Sequence, residues 1–129
     1  MKVYLSVPMI ANRELQRAKD MARAIADAGH SITSPWVLGP IEKRDGSPVN
    51  IFRRDMEAAE ASDVLVADVT DPSVGVGMEI MAAHKAGKRI ILVTKKGKVI
   101  SGMLVHMDGK EFVEYDSEEE IYPILLRAL

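Results

Sequence analysis

Apolar and polar positions along the chain alternate between two periodicities. Short runs rich in aliphatic and β-branched residues fall at residues 2–7 (KVYLSV), 30–34 (HSITS), 63–69 (DVLVADV), 89–94 (RIILVT) and 111–115 (EFVEY). Their length and composition are those of strands in a parallel sheet, buried on both faces. Between them the apolar residues recur at three- and four-residue steps. Leu15, Ala18, Met21, Ala22, Ile25 and Ala26 make one face of a helix that Asn12 can cap and Gly29 can end. A second helix, IFRRDMEAAEAS, starts near Asn50. A turn, TDPSVGVG, precedes a third, MEIMAAHKAGK, which ends at Gly87. VISGMLVHM reads as a short helix. EEEIYPILLRAL reads as the last one, capped by Ser117, with its acids where the macrodipole favours them. Strand and helix therefore alternate five times. This predicts an α/β fold: a doubly wound, five-stranded parallel sheet of flavodoxin-like or Rossmann-like type, order 2-1-3-4-5, in one domain over residues 1–129. Residues 37–50 (VLGPIEKRDGSPVN) read as a long loop of the kind that usually carries function.

Composition narrows the chemistry. The 129 residues carry 17 basic and 19 acidic side chains, a net charge of −2 that argues against a protein built to grip nucleic acid. There is no cysteine, which excludes disulfides, thiolate catalysis and zinc-finger or iron–sulfur sites. His30, His84 and His106 lack close metal-ligand spacing, and no metal or organic cofactor is implied. No apolar run approaches the roughly 20 residues that span a bilayer, and the N-terminal stretch reads as a buried strand rather than a signal peptide. The expected location is cytoplasmic.

In this fold the site lies at the carboxyl ends of the strands, near the switch point between strands 1 and 3. Two loops meet there, residues 7–12 and 69–79. The first has no acidic cluster for a phosphoacceptor, no Ser/Thr/Gly-rich stretch for a flavin and no G-x-G-x-x-G. The second, Asp71-Pro72-Ser73-Val74-Gly75-Val76-Gly77-Met78-Glu79, places a hydroxyl, two glycines and a carboxylate at a helix start. Glycines admit a close backbone approach, and free N–H groups favour anions. Ser73 could donate to a phosphate. Glu79, expected in the first helical turn, suits attack at an anomeric carbon. A turn followed by glutamate is also a common structural device, so spacing alone leaves both readings open. A second carboxylate is needed as acid. Asp55 is a candidate, although its setting among Arg53, Arg54 and Glu57 also fits a solvated helix face. Asp63 reads as a cap or turn residue, and Asp68 as support behind the site.

Taken together, the chain resembles the nucleoside 2-deoxyribosyltransferase-like superfamily, most closely its 2'-deoxynucleoside 5'-phosphate N-hydrolase branch. The residues that carry this are V-Y-L at 3–5, the block D-M-E-A-A-E-A-S-D-V-L-V-A-D-V-T-D-P-S-V-G-V-G-M-E at 55–79, A-G-K at 86–88 and V-I-S-G-M at 99–103. The resemblance implies a homodimer and a double displacement in which Glu79 attacks C1' and carries a covalent glycosyl intermediate. It implies Asp55 as the second acid, Tyr4 beside the nucleophile, Ser73 on the phosphate, and Ser101 reaching the same phosphate from the neighbouring subunit. Gly75, Gly77, Met103 and Trp36 complete the expected substrate-binding set. The transferases of the superfamily resemble an acidic residue near position 73, so serine there fits a monophosphate. The mammalian-type hydrolases resemble G-S-I-R-G in the first loop, where this chain has Val7-Pro8-Met9-Ile10-Ala11. Asn12 and Arg13 are the nearby candidates to replace the missing phosphate contacts.

The expected activity is therefore hydrolysis of the N-glycosidic bond of (2'-deoxy)nucleoside 5'-monophosphates, with base and pentose unspecified. The rivals are a base-exchanging deoxyribosyltransferase and a nucleotide-binding module without turnover. Trp36, the one tryptophan, reads equally as a base-stacking ring or as packing. The eight methionines read mainly as core filler, with Met78 and Met103 nearest the site. His84 reads as a surface or packed residue, and Lys95, Lys96 and Lys98 as a solvated turn.

Overall fold

Alternation along β1 (Lys2–Ser6) divides the core in two. In the computed structural model, which describes residues 1–42 and 48–129, Val3 and Leu5 point to one side of the sheet and Tyr4 to the other. Val3 and Leu5 pack with Met21 and Ile25 of α1 (Leu15–Asp27) and with Ile121 and Leu125 of α5 (Ile121–Ala128). Tyr4 packs with Ala59 of α2 (Ile51–Ala61) and with Val76, Ile80 and Ala83 of α3 (Val74–Lys85).

The five strands form one parallel sheet in the order β2-β1-β3-β4-β5. The outer members are β2 (Ser31–Ile32) and β5 (Lys110–Tyr115); β3 (Val64–Asp68) and β4 (Arg89–Lys95) lie within. This is the order expected from the sequence. Every residue of β3 is buried, as its unbroken apolar run requires. A short helix, α4 (Gly102–His106), links β4 to β5.

Several element boundaries differ from the sequence reading. Asn12 does not cap α1: it takes φ +61°, the left-handed region, and the helix begins three residues later at Leu15. The second strand is two residues long instead of five. Beyond Ile32 the hydroxyl of Ser34 takes over from the ladder, accepting from Leu5 N at 2.9 Å and donating to Leu5 O at 2.7 Å. The third helix starts at Val74 rather than after Gly77, because the Ser73 hydroxyl caps it by accepting from Val76 N at 3.4 Å. Gly75 and Gly77 are thus helical, and Glu79 lies in the second turn instead of the first. At the C-terminus Ser117 makes no capping bond; Glu118–Glu120 form a 3₁₀ turn before α5. Of the loop expected over residues 37–50, residues 43–47 lie outside the described residues. No described helix is long and apolar enough to cross a membrane.

Candidate active site

Tyr4 and Ser6 lie on the β1 face that meets α3, where most neighbours are apolar. A buried hydroxyl there needs a partner. Tyr4, fully buried, finds one by donating to Glu79 Oε2. Glu79 is itself only 8 % exposed. Burial pushes its carboxyl up to about 7. The nearby Asp55 charge adds to that rise, while the Tyr4 hydrogen bond and Arg54 oppose it. The Ser6 hydroxyl also holds it down, without forming a well-shaped hydrogen bond. Burial, with the Glu79 charge second, pushes the Tyr4 phenol far above its ordinary value. Tyr4 therefore keeps its proton and serves as a donor.

A cleft of about 480 Å³ opens over Glu79 at the carboxyl end of the sheet. Asp55 and Arg54 of α2 form one wall, and Ser73, Val74 and Gly75 at the start of α3 form another. Val7, Met9, Ile10 and Trp36 supply an apolar side. The space thus brings together Glu79, Asp55, Ser73, Gly75 and Trp36, two carboxylates, an apolar slot and a helix N-terminus, with Tyr4 bonded to Glu79 behind it. Gly75 lies beside the carboxylate: a Cβ there would be in ordinary contact with Glu79 Oε1, at 3.9 Å.

Asp55 is not on a solvated face. Burial raises its carboxyl above the usual range, with Glu42 adding to the rise and the Arg54 pair opposing it. Arg54 Nε donates to Asp55 Oδ1 at 2.8 Å. Trp36 packs edge-on against Tyr4, with centroids 6.2 Å apart, and it lines the cleft. Its ring face is occupied by the Arg54 guanidinium at 3.8 Å.

Gly77, Ser101 and Met103 stand elsewhere. They line a second, apolar groove of about 670 Å³ with Met78, Met81 and Val99; Ser73 and Val74 form the ridge shared by both spaces. Within one chain Ser101 does not line the Glu79 cleft. Its hydroxyl accepts from Met103 N at 3.2 Å, capping α4. Arg13 does not supply the phosphate contact considered for it: its guanidinium donates to the carbonyls of Val37 (3.3 Å) and Gly39. Asn12 does not line the cleft either, its left-handed turn sitting outside it. Asp68 sits behind the site, bonded to Arg17 at 3.1 Å and to Thr70 N at 3.0 Å. Asp63 pins the start of β3 by accepting from Lys2 N at 2.8 Å. His84 pairs with Asp108 on the surface, and Lys98 with Asp71.

The sequence reading missed Arg54, Glu42 and Ser6. A signal existed for Arg54: Ile51, Arg54, Asp55 and Ala58 share one helical stripe, so a charged pair interrupts an inward-facing row. Glu42 carried no signal, since it comes from an irregular segment and meets Arg54 only in space.

The sequence model of the nucleoside 2-deoxyribosyltransferase family matches residues 3–116. The chain belongs to that family. Among relatives of this nucleoside 2-deoxyribosyltransferase-family chain, a Thermofilum pendens protein is 32% identical over 127 residues, covering 93% of this chain and 89% of its own length. It is by its name a candidate 2'-deoxynucleoside 5'-phosphate N-hydrolase. The 5-hydroxymethyl-dUMP N-hydrolase of Branchiostoma floridae is 43% identical over 86 residues, 64% of this chain and 81% of that protein. In structure, a Clostridium botulinum CMP N-glycosidase matches with a TM-score of 0.76 over 100% of both chains at 21% identity, which shows the shared fold.

Proposed function

We propose that the protein hydrolyses the N-glycosidic bond of (2'-deoxy)nucleoside 5'-monophosphates, releasing free base and pentose 5-phosphate. The observation that carries this is the buried Tyr4–Glu79 pair at the floor of a cleft that also holds Asp55. N-glycosides break through an oxocarbenium-like state, which calls for an anion against C1' and an acid near the base. Glu79, when ionised, attacks C1'; the C1'–N bonding pair leaves with the base, which takes a proton from Asp55. Water then attacks C1' of the glycosyl-Glu79 ester, returns a proton to Asp55 and frees Glu79. Tyr4 holds Glu79 Oε2 throughout.

Ser73 and the first turn of α3 are the phosphate end of this reading, since unpaired N–H groups and a hydroxyl suit an anion. Among the described residues Arg54 is the only basic side chain lining the cleft, and it is committed to Glu42 and Asp55. A dianionic phosphate therefore calls for a further donor. A homodimer supplies one. Val74, Met78, Val99 and Met103 are 84%, 46%, 97% and 77% exposed around the apolar groove, a surface that a second copy would cover. Ser101 lies in that surface and would reach the partner's phosphate across the shared Ser73–Val74 ridge. The reading includes a cytoplasmic location, where such nucleotides are met.

The test is chromatographic detection of free base from a panel of ribo- and deoxyribonucleoside 5'-monophosphates beside the matching nucleosides, with and without an acceptor base. Release from monophosphates alone is the expected result. Exchange only with acceptor present makes the protein a transferase. Mass spectrometry of quenched turnover should show a pentose phosphate adduct on the peptide containing Glu79.

A further inference from the structure

We propose that Arg54 is a positioning residue of this site, holding Asp55 by one carboxylate oxygen so that the other, Oδ2, is the one that meets the substrate. The proposal rests on reading the cleft as a glycosidic site. Arg54 lies in the inward stripe of α2 and makes four contacts that no other side chain among the described residues combines. Its Nε donates to Asp55 Oδ1 at 2.8 Å. Its Nη1 donates to Glu42 Oε2 at 2.9 Å, and its Nη2 approaches Glu42 Oε1 at 2.8 Å. Its guanidinium carbon stands 3.8 Å over the Trp36 ring. Trp36 in turn packs edge-on against Tyr4, the donor to Glu79. One planar group thus links the second carboxylate, the aromatic wall and, through it, the nucleophile's partner.

The chemistry follows from the donor set. A guanidinium only donates. The Asp55 oxygen it engages must therefore act as the acceptor; when the carboxyl carries its proton, that oxygen is the carbonyl and the proton sits on Oδ2. An acid that keeps its proton on a fixed oxygen is already oriented for transfer to the departing base. Lysine would keep the charge but not the planar fork that reaches Asp55, Glu42 and Trp36 together. The charged and titratable groups facing Arg54 are Glu42 from the segment before α2, Asp55 on α2 itself, Glu79 from α3 and Tyr4 from β1. Arg53 and Glu57 share with it a shallow surface beside Trp36. Arg13 is taken up by the Val37 and Gly39 carbonyls.

The experiment compares Arg54→Met and Arg54→Lys with the wild type by two readouts: the pH profile of base release, and the pH titration of emission from Trp36, the one tryptophan, without substrate. Arg54→Met should lower kcat roughly tenfold or more and move the alkaline limb of kcat/KM, where the acid Asp55 loses its proton, up by about one pH unit. The midpoint of the Trp36 titration should move with it. Arg54→Lys should return the limb toward its wild-type position and leave kcat low. Full recovery of kcat in Arg54→Lys would overturn the proposal, because the fork would then be unnecessary. So would an Arg54→Met protein that melts earlier but keeps both pH midpoints. If the wild type releases base from no monophosphate, the glycosidic reading fails separately. The Trp36 titration still decides Arg54: a shifted midpoint in Arg54→Met supports the coupling to Asp55, and an unshifted one overturns it.

Discussion

Tyr4 donates to Glu79 Oε2 across 75 residues of sequence, from the middle of the inner strand β1 to the second turn of α3. Both groups are buried, and the phenol lies too high to ionise, so the bond stabilises the charged form of the glutamate. Tyr4→Phe removes that donor. The acid limb of kcat/KM, expected near the Glu79 value of about 7, should move upward. Activity at pH 7 should fall roughly tenfold and partly recover at higher pH. A uniform loss at every pH would show that Tyr4 does not act through Glu79.

Glu79→Gln should abolish base release while strengthening the fold in alkaline solution. The carboxyl titrates higher in the folded protein than in the unfolded chain, so its contribution is fully present below about 4.5 and is lost as pH rises through about 7. Glutamine keeps the shape without the buried charge. Thermal melts should show the variant more stable than wild type at pH 8, by about 1–3 kcal/mol, with little difference at pH 5.

Ser73→Asp separates phosphate recognition from helix capping. Aspartate is as good an N-cap as serine, so α3 should persist and circular dichroism should not change. A carboxylate beside the α3 N-terminus would repel a phosphate. KM for monophosphates should rise at least tenfold, with nucleosides much less affected. Equal losses on both would refute the phosphate assignment.

The Arg17–Asp68 pair behind the site is a structural device. Arg17 is 7% exposed and Asp68 is 2% exposed; Arg17 also reaches Glu118 at 2.8 Å, and Asp68 holds Thr70 N at the start of the loop that leads to Ser73. Arg17→Met strands the buried carboxylate. Denaturant unfolding should show a loss of about 3 kcal/mol.

A shared site in a homodimer predicts complementation. Glu79→Gln and Ser101→Ala chains, each impaired alone, should regain activity when mixed and allowed to exchange. Each heterodimer carries one site with both wild-type residues, so random exchange restores roughly a quarter of the sites. No recovery, with mixed dimers demonstrated, would place Ser101 outside the active site.

Local pattern determined much of this protein. Buried strands announce themselves as short apolar runs, and their alternation with helices admits few topologies. The order 2-1-3-4-5 and the loops at the carboxyl ends of β1 and β3 are therefore legible in the residue pattern alone. The contiguous block from Asp55 to Glu79 carried the family. Boundaries set by single side chains were not legible: the Ser73 cap that draws Gly75 and Gly77 into α3, or the Ser34 hydroxyl that replaces the ladder of β2. Nor was the electrostatics of the site. The Glu79 carboxyl is raised because the fold removes it from water, and Arg54, which holds Asp55, is itself met by Glu42 and Trp36 because α2, an irregular segment and the 3₁₀ turn Pro35–Leu38 converge. Desolvation and convergence are properties of the folded volume, which sequence spacing does not encode.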